Sequence, residues 1–407
     1  MRFGAVVLGA VVLAVYASTI GMTAFGRSDF AGAEPHHLLT ARSLADDGDV
    51  DLVNQYRDGD YLPFHPYGLA PEGDLTDGRL NEPHGLGFPA LIAPAYAAGG
   101  EHAVEALLAV IAALAVVLAY RLALRAVPDP WALGAAATVG LAPPLVAYST
   151  SVYPELTAGA ALTGAALLAL GLAERPSRAR AVVCFALVAL LPWLGIRFAP
   201  AALVVGGYAY LSLRRAGRGL LALAGLEIVA FATAVYVGVN GRLYGGPSPD
   251  SAGGGGTGAD SVLDYLGRIP RLATLWLDPH FGLLRWAPIA ALALAGALLF
   301  LRERRTGLRR AIPTLAAQQS AVGLCAAVLA VQLLVAAFLA PAMSGHWFPG
   351  RHLVWVLPVA TPLVAVALRR FPRVGTALGL VTVAGSVWLW LAIVVGDASL
   401  IGDRPPF

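Results

Sequence analysis

Apolar runs long enough to cross a lipid bilayer recur along the whole of this chain, and the loops between them are of two kinds. Crossing the hydrocarbon core takes about 20 predominantly apolar residues. Backbone polar groups inside that core must be satisfied within the spanning structure, so runs of this length read as helices. One kind of loop is short and rich in arginine: Arg175, Arg178 and Arg180; Arg214, Arg215 and Arg218; Arg302 to Arg310; Arg369, Arg370 and Arg373. The other is longer and carries Asp, Glu, His, Tyr and Pro. All eight histidines and most of the 25 acidic residues lie on that side. Positive charge held near membrane ends marks the cytoplasmic face, so the elaborate loops face outward.

On this polarity the spans cover residues 3–25, 103–125, 131–148, 156–173, 181–197, 199–213, 219–239, 282–301, 316–340, 353–369 and 375–396. That predicts an all-α polytopic membrane protein of about eleven helices, a single integral-membrane unit over residues 1–407. The N-terminus is inside, the C-terminus outside, and the plasma (cytoplasmic) membrane is the expected location. The first run exceeds a secretory h-region and is read as a retained span. Segment 85–99 is apolar but short and holds Pro89 and Pro94. Were it to span, every later arginine loop would move outside, so it is expected to lie flat at the outer interface.

With 58% hydrophobic and 13% charged residues over 407 positions, a soluble domain is excluded. The net charge of +3 reports membrane orientation, not a nucleic-acid partner. Cys184 and Cys325 fall in apolar segments, which argues against a disulfide framework. Outer regions large enough to build a site are residues 26–100, 240–281 (with the flexible run Gly253–Gly256) and 341–352. There is no internal repeat.

The first outer loop places Asp29 and Glu34 just after a membrane helix, ahead of a short amphipathic helix over residues 38–45. An acid at the lipid–water boundary reaches both a lipid-borne group and a soluble acceptor, and can take a proton from an acceptor hydroxyl. Either acid could equally cap the helix.

The stretch Ala33-Glu34-Pro35-His36-His37, with Ala41-Arg42 and Gly48-Asp49, resembles the first external loop of integral-membrane GT-C glycosyltransferases. Among these are the protein O-mannosyltransferases and the lipid A aminoarabinose transferases. Further resemblances follow in order: Glu82 to Pro89, Tyr153-Pro154-Glu155, Leu243 to Pro249, Asp278 to Leu284 and Trp347 to Leu353. The chain departs from the pattern in places. The first acid of the family's Asp-Glu pair, usually taken as the general base, is Ala33 here; Glu34 matches the second acid. The aromatic expected after the acids is His37, and the Tyr expected after Arg351 is His352.

The resemblance implies a GT-C fold and transfer of a sugar from a polyprenyl-phosphate donor to a glycan, lipid or protein acceptor at the outer face, usually with inversion. The residues agree: no Gly-rich phosphate loop follows a strand, so a donor used outside must arrive on lipid. Phosphate leaves readily once its charge is held, so one base and a cationic clamp suffice, unlike the paired carboxylates of glycosidases. Glu34 and Asp29 are the candidate bases. Arg351 with His352 is the first candidate for the donor phosphate, followed by Arg197, Arg271 and Arg285, since the planar guanidinium holds phosphate oxygens bidentately. His36, His37, His84, Tyr153, Glu155, His280 and Trp347 are candidates for acceptor contacts. Glu155 could instead orient a metal or complement a helix dipole. No metal cofactor is expected, because no His-x-x-x-His spacing or Cys partner is present. The competing reading is a transporter or flippase of a lipid-linked glycan. Transporters usually show matched halves and polar groups near the midplane, and this chain has neither.

Overall fold

The computed structural model describes residues 2–251, 257–259, 261–303 and 313–401. The Gly253–Gly256 run and most of the Arg302–Arg310 loop lie outside the described residues. The order is α1 (Arg2–Ala17), α2 (Glu34–Asp46), α3 (Val53–Asp58), a two-stranded antiparallel hairpin (Leu75–Thr76 and Arg79–Leu80) and α4 (Gly87–Ala123). Then come α5 (Trp131–Gly140), α6 (Pro143–Tyr148), α7 (Glu155–Glu174), α8 (Arg178–Leu194), α9 (Ala199–Arg215) and α10 (Gly219–Tyr244). Two short helices follow, α11 (Val262–Gly267) and α12 (Arg271–Leu277). The chain ends with α13 (Leu283–Trp286), α14 (Ala291–Glu303), α15 (Pro313–Leu334), α16 (Arg351–Val354), α17 (Leu357–Arg370) and α18 (Pro372–Val395).

Among the described residues, six helices are long and apolar enough to cross a membrane by length and composition. Helix also occupies each of the other stretches read as spans, but with interruptions that periodicity does not report. The run 131–148 breaks between α5 and α6, where Pro143 and Pro144 open a new helix. Pro288 splits 282–301 and Pro358 starts α17 afresh after α16. The first run stops at Ala17, because the Ser18 and Thr19 hydroxyls donate to the Val15 and Tyr16 carbonyls.

Segment 85–99 is the first part of α4, which breaks at Gly99 and Gly100 before its membrane-length part. Gly100 has φ +67° and ψ −154°, a conformation essentially confined to glycine. Before the break Phe88, Pro89, Ile92 and Ala93 are buried while Ala90, Pro94, Ala97 and Ala98 are exposed, the one-sided burial of a helix lying along a surface. The expected amphipathic helix at 38–45 is a longer α2. Most of it is buried, from Glu34 to Ala41, because it packs against α4 and does not lie on the surface.

Helix α7 is central: its apolar window is 78% buried, against 17% for α10. It packs on α4, α8, α9 and α17. Small residues let backbones approach, as they do between membrane helices. At Gly159 a Cβ would lie 2.6 Å from the Trp355 carbonyl oxygen. That contact presses the start of α7 against α16, and Glu155 and Arg351 lie one turn before Gly159 and Trp355.

Candidate active site

A cavity of about 570 Å³ opens where α2, the start of α7, the α8–α9 turn and the α15–α16 connection meet. Glu155, Arg197 and Arg351 stand on its wall. Arg351 Nε donates to Glu155 Oε1 at 2.6 Å, and Arg197 Nη2 donates to the same oxygen at 2.8 Å. The second oxygen, Oε2, is buried with no hydrogen-bond partner. The guanidinium of Arg351 lies 4.2 Å from the Tyr153 ring centre and 4.6 Å from that of Trp347. Stacked between two rings and held by Nε, it makes no other hydrogen bond among the described residues, which leaves its terminal nitrogens for a ligand. Burial alone would lower its pKa, but Glu155 outweighs that and the net shift is upward, so the guanidinium stays charged.

Five sequence candidates from distant segments thus converge here: Tyr153, Glu155, Arg197, Trp347 and Arg351. His352 also lines the cavity; its Nε2–H donates to the Ala342 carbonyl at 3.0 Å. Burial, then Arg351 and Arg197, push its pKa down to about 4, so it is a neutral imidazole. Gln332, which lay unnoticed inside an apolar run, donates to the His352 carbonyl and leaves Oε1 buried without a partner on the same wall.

Ala33 and His37, one turn apart on α2, both face the cavity. Helical residues four apart share a face. His37 is 4% exposed, and its Nδ1 is buried without a hydrogen-bond partner. Its ring packs against Phe88 and His84, with centres 5.1 and 5.2 Å away. Burial, and then the nearby His84 and Arg351, hold its pKa well below the ordinary imidazole value.

The two acids read as candidate bases sit elsewhere. Glu34 Oε2 accepts from the Ala31 amide at 2.8 Å and Oε1 from the Val152 amide at 2.6 Å. Burial nonetheless pushes its pKa up to about 8. With both oxygens taken by backbone amides, it ties the loop after α1 to the turn before α7 and is not among the cavity-lining residues. Tyr153 reinforces that tie, donating to the Ala31 carbonyl and accepting from the Ala33 amide. Asp29 is half-buried; burial raises its pKa, His102 on the side of α4 lowers it, and Glu101 adds to the rise. Arg271 and Arg285 donate to the Ala340 and Pro279 carbonyls and stand off the cavity, as does the exposed His280 beside Asp278.

His84, also on the cavity wall, converges with His36, the other acceptor candidate, and with Glu72, a loop acid that no sequence pattern distinguished. A second cavity, about 690 Å³, is lined by Arg121, Arg125, Arg175 and Arg180 beside Glu174. It adjoins the far end of α7, whose 20 residues rise about 30 Å, so the two cavities belong to opposite ends of the bundle.

Replacing Glu155 would strand two guanidiniums. Breaking a buried pair from one side costs about 3–5 kcal/mol. Arg197 is 43% exposed, so the lower end applies. Glu155→Ala is expected to lower the thermal midpoint in detergent by several degrees; an unchanged midpoint would show that both arginines are satisfied without it.

No family model matches the sequence, and no curated protein does either. Solved structures do match. ArnT from Cupriavidus metallidurans superposes with TM-score 0.54 in its apo state and 0.57 when bound to undecaprenyl phosphate, at 16% identity over 96% of this chain and 70% of that one. The oligosaccharyltransferase of Archaeoglobus fulgidus, in complex with Zn and sulfate, gives TM-score 0.51 at 12% identity over 98% of this chain. This chain spans 54% of that larger protein. At such identities the likeness is one of fold: the chain has the fold of the GT-C membrane glycosyltransferases, as its ordered motifs led us to expect.

Proposed function

We propose that the protein transfers a sugar from a polyprenyl-phosphate donor to an acceptor hydroxyl at the outer face of the cytoplasmic membrane. The observation that carries this reading is the Arg351–Glu155–Arg197 group built on the buried Glu155, with the terminal nitrogens of Arg351 uncommitted on a cavity wall. In-plane guanidinium donors match paired phosphate oxygens. Apolar residues of the same cavity, among them Trp193, Ile196, Val335 and Leu339, offer a bed for the prenyl chain. The arginine loops at the opposite helix ends support an inside N-terminus and an outward site, with about eleven crossings.

In this mechanism Arg351 and Arg197 hold the donor phosphate, and Glu155 holds both arginines. The acceptor oxygen attacks the anomeric carbon as the bond from that carbon to the phosphate oxygen breaks. The hydroxyl proton passes to His37 Nδ1, and polyprenyl phosphate leaves with its charge on the guanidiniums. A single displacement inverts the anomeric centre. His37 takes the base role because it lines the cavity one turn from Ala33, which offers no acid, and its buried Nδ1 has no hydrogen-bond partner. His84, His352 and Gln332 are placed to contact the sugar or the acceptor.

The test is reconstitution with a polyprenyl-phosphate sugar and measurement of free polyprenyl phosphate. Wild type is expected to release it in step with acceptor glycosylation. Asp29→Asn is expected to keep that turnover, and Glu34→Gln to lower thermal stability more than turnover per folded molecule. Movement of intact donor across the vesicle without cleavage would establish a flippase instead.

A further inference from the structure

Outside the phosphate-binding group, the first outer loop gathers His36, Glu72 and His84. Their candidate ligand atoms all lie within 4.8 Å of one another. His36 comes from α2, Glu72 and His84 from the chain that follows α3. Glu72 Oε1 lies 3.6 Å from His36 Nε2, and Glu72 Oε2 lies 3.3 Å from His84 Nε2.

Hydrogen bonding around His36 fixes which nitrogen carries its lone pair. The Tyr56 hydroxyl donates its one proton to Glu82. It can therefore only accept from His36 Nδ1, 2.8 Å away. Glu82, 3.2 Å from the same nitrogen, is likewise an acceptor. Nδ1 thus bears the hydrogen, and in the neutral ring the Nε2 lone pair points at a carboxylate. His84 Nε2 is buried and lacks a hydrogen-bond partner, yet faces the other oxygen of the same carboxylate. Two imidazole nitrogens and a carboxylate converging in this way form a donor set that a cation can fill.

We propose that His36 Nε2, Glu72 and His84 Nε2 bind a divalent transition-metal ion of the zinc class. Two imidazoles and one carboxylate form a mixed nitrogen–oxygen set that suits zinc, whereas magnesium and calcium favour oxygen alone. Bonds of about 2.0–2.1 Å place tetrahedral ligand atoms about 3.3–3.4 Å apart, close to the two separations across Glu72. The backing of His36 is also that of a metal ligand: its other ring N–H goes to a tyrosine hydroxyl and a buried carboxylate, which orients the ring. Glu72 itself is held in place, its backbone amide donating to Glu82 Oε2 at 3.1 Å. The ion would pin the segment from Glu72 to His84 onto α2. Pro83, His84 and Gly85 of that segment are part of the cavity wall, so the ion would set the position of the wall. Sequence spacing missed the site because its ligands come from three separate places in the loop.

The test reads metal directly and does not depend on glycosyl transfer. Purified full-length protein is stripped with a chelator, dialysed against micromolar zinc chloride, and its bound metal counted by mass spectrometry. One zinc per chain is expected, with a zinc-dependent rise in thermal midpoint. Glu72→Gln and His84→Gln are each expected to weaken binding at least about tenfold and to abolish the zinc-dependent rise. Glu72 is half-exposed, so its variant keeps the fold, which the midpoint without metal verifies. His280→Ala, an exposed histidine outside the cluster, is expected to bind as wild type does. Absence of stoichiometric zinc, or zinc retained unchanged in both cluster variants, would overturn the site. Binding of magnesium or calcium in preference to zinc would do so too.

Discussion

His37→Ala is expected to lower turnover by about a hundredfold to ten-thousandfold, the range that a positioned general base contributes. The loss should appear in kcat, with the KM for the donor little changed, because the imidazole acts on the acceptor proton and the phosphate stays on Arg351 and Arg197. Imidazole added to the assay should restore part of the rate in His37→Ala. A merely structural role would not be rescued in this way, and a rate near wild type would return the base to another residue.

Arg351→Ala is expected to cost about 10²–10³ in turnover, by analogy with removal of a preorganised charge-stabilising donor, and to weaken donor binding as well. Arg351→Lys should not restore it. An ammonium has no flat face to lie between Tyr153 and Trp347, and no pair of in-plane donors. Turnover and donor binding, measured on protein of verified fold, check both statements. More than about a tenth of the wild-type rate in Arg351→Ala would remove the clamp from the mechanism.

The polarity of the loops and the order of the motifs made the helical fold legible, and with it the convergence of Tyr153, Glu155, Arg197, Trp347 and Arg351. These residues were readable because each lies at the same end of an apolar run. Helix interruptions at Pro143, Pro288 and Pro358 were less visible, since hydropathy alone continues across a proline. Arg271 and Arg285 sit at the correct end but donate to backbone carbonyls, a choice made by tertiary distance. Glu34 matched a motif position, yet its oxygens bind the nearby Ala31 amide and the Val152 amide, more than a hundred residues away. Gln332 and Glu72 were invisible for the opposite reason. One is a lone polar group in an apolar helix and the other one acid among many in a loop, and only folding sets each against its neighbours.

Ala33 has an electrostatic corollary. In the transferases that the first loop resembles, an acid at that place would add a second negative charge to the wall. Here two guanidiniums face one carboxylate and an uncharged imidazole, so the vestibule is cationic before anything enters it. An incoming phosphate is drawn in without a repelling neighbour. Burial is the main cause of the lowered basicity of His37, and the arginines add to it; a seated phosphate offsets that added part.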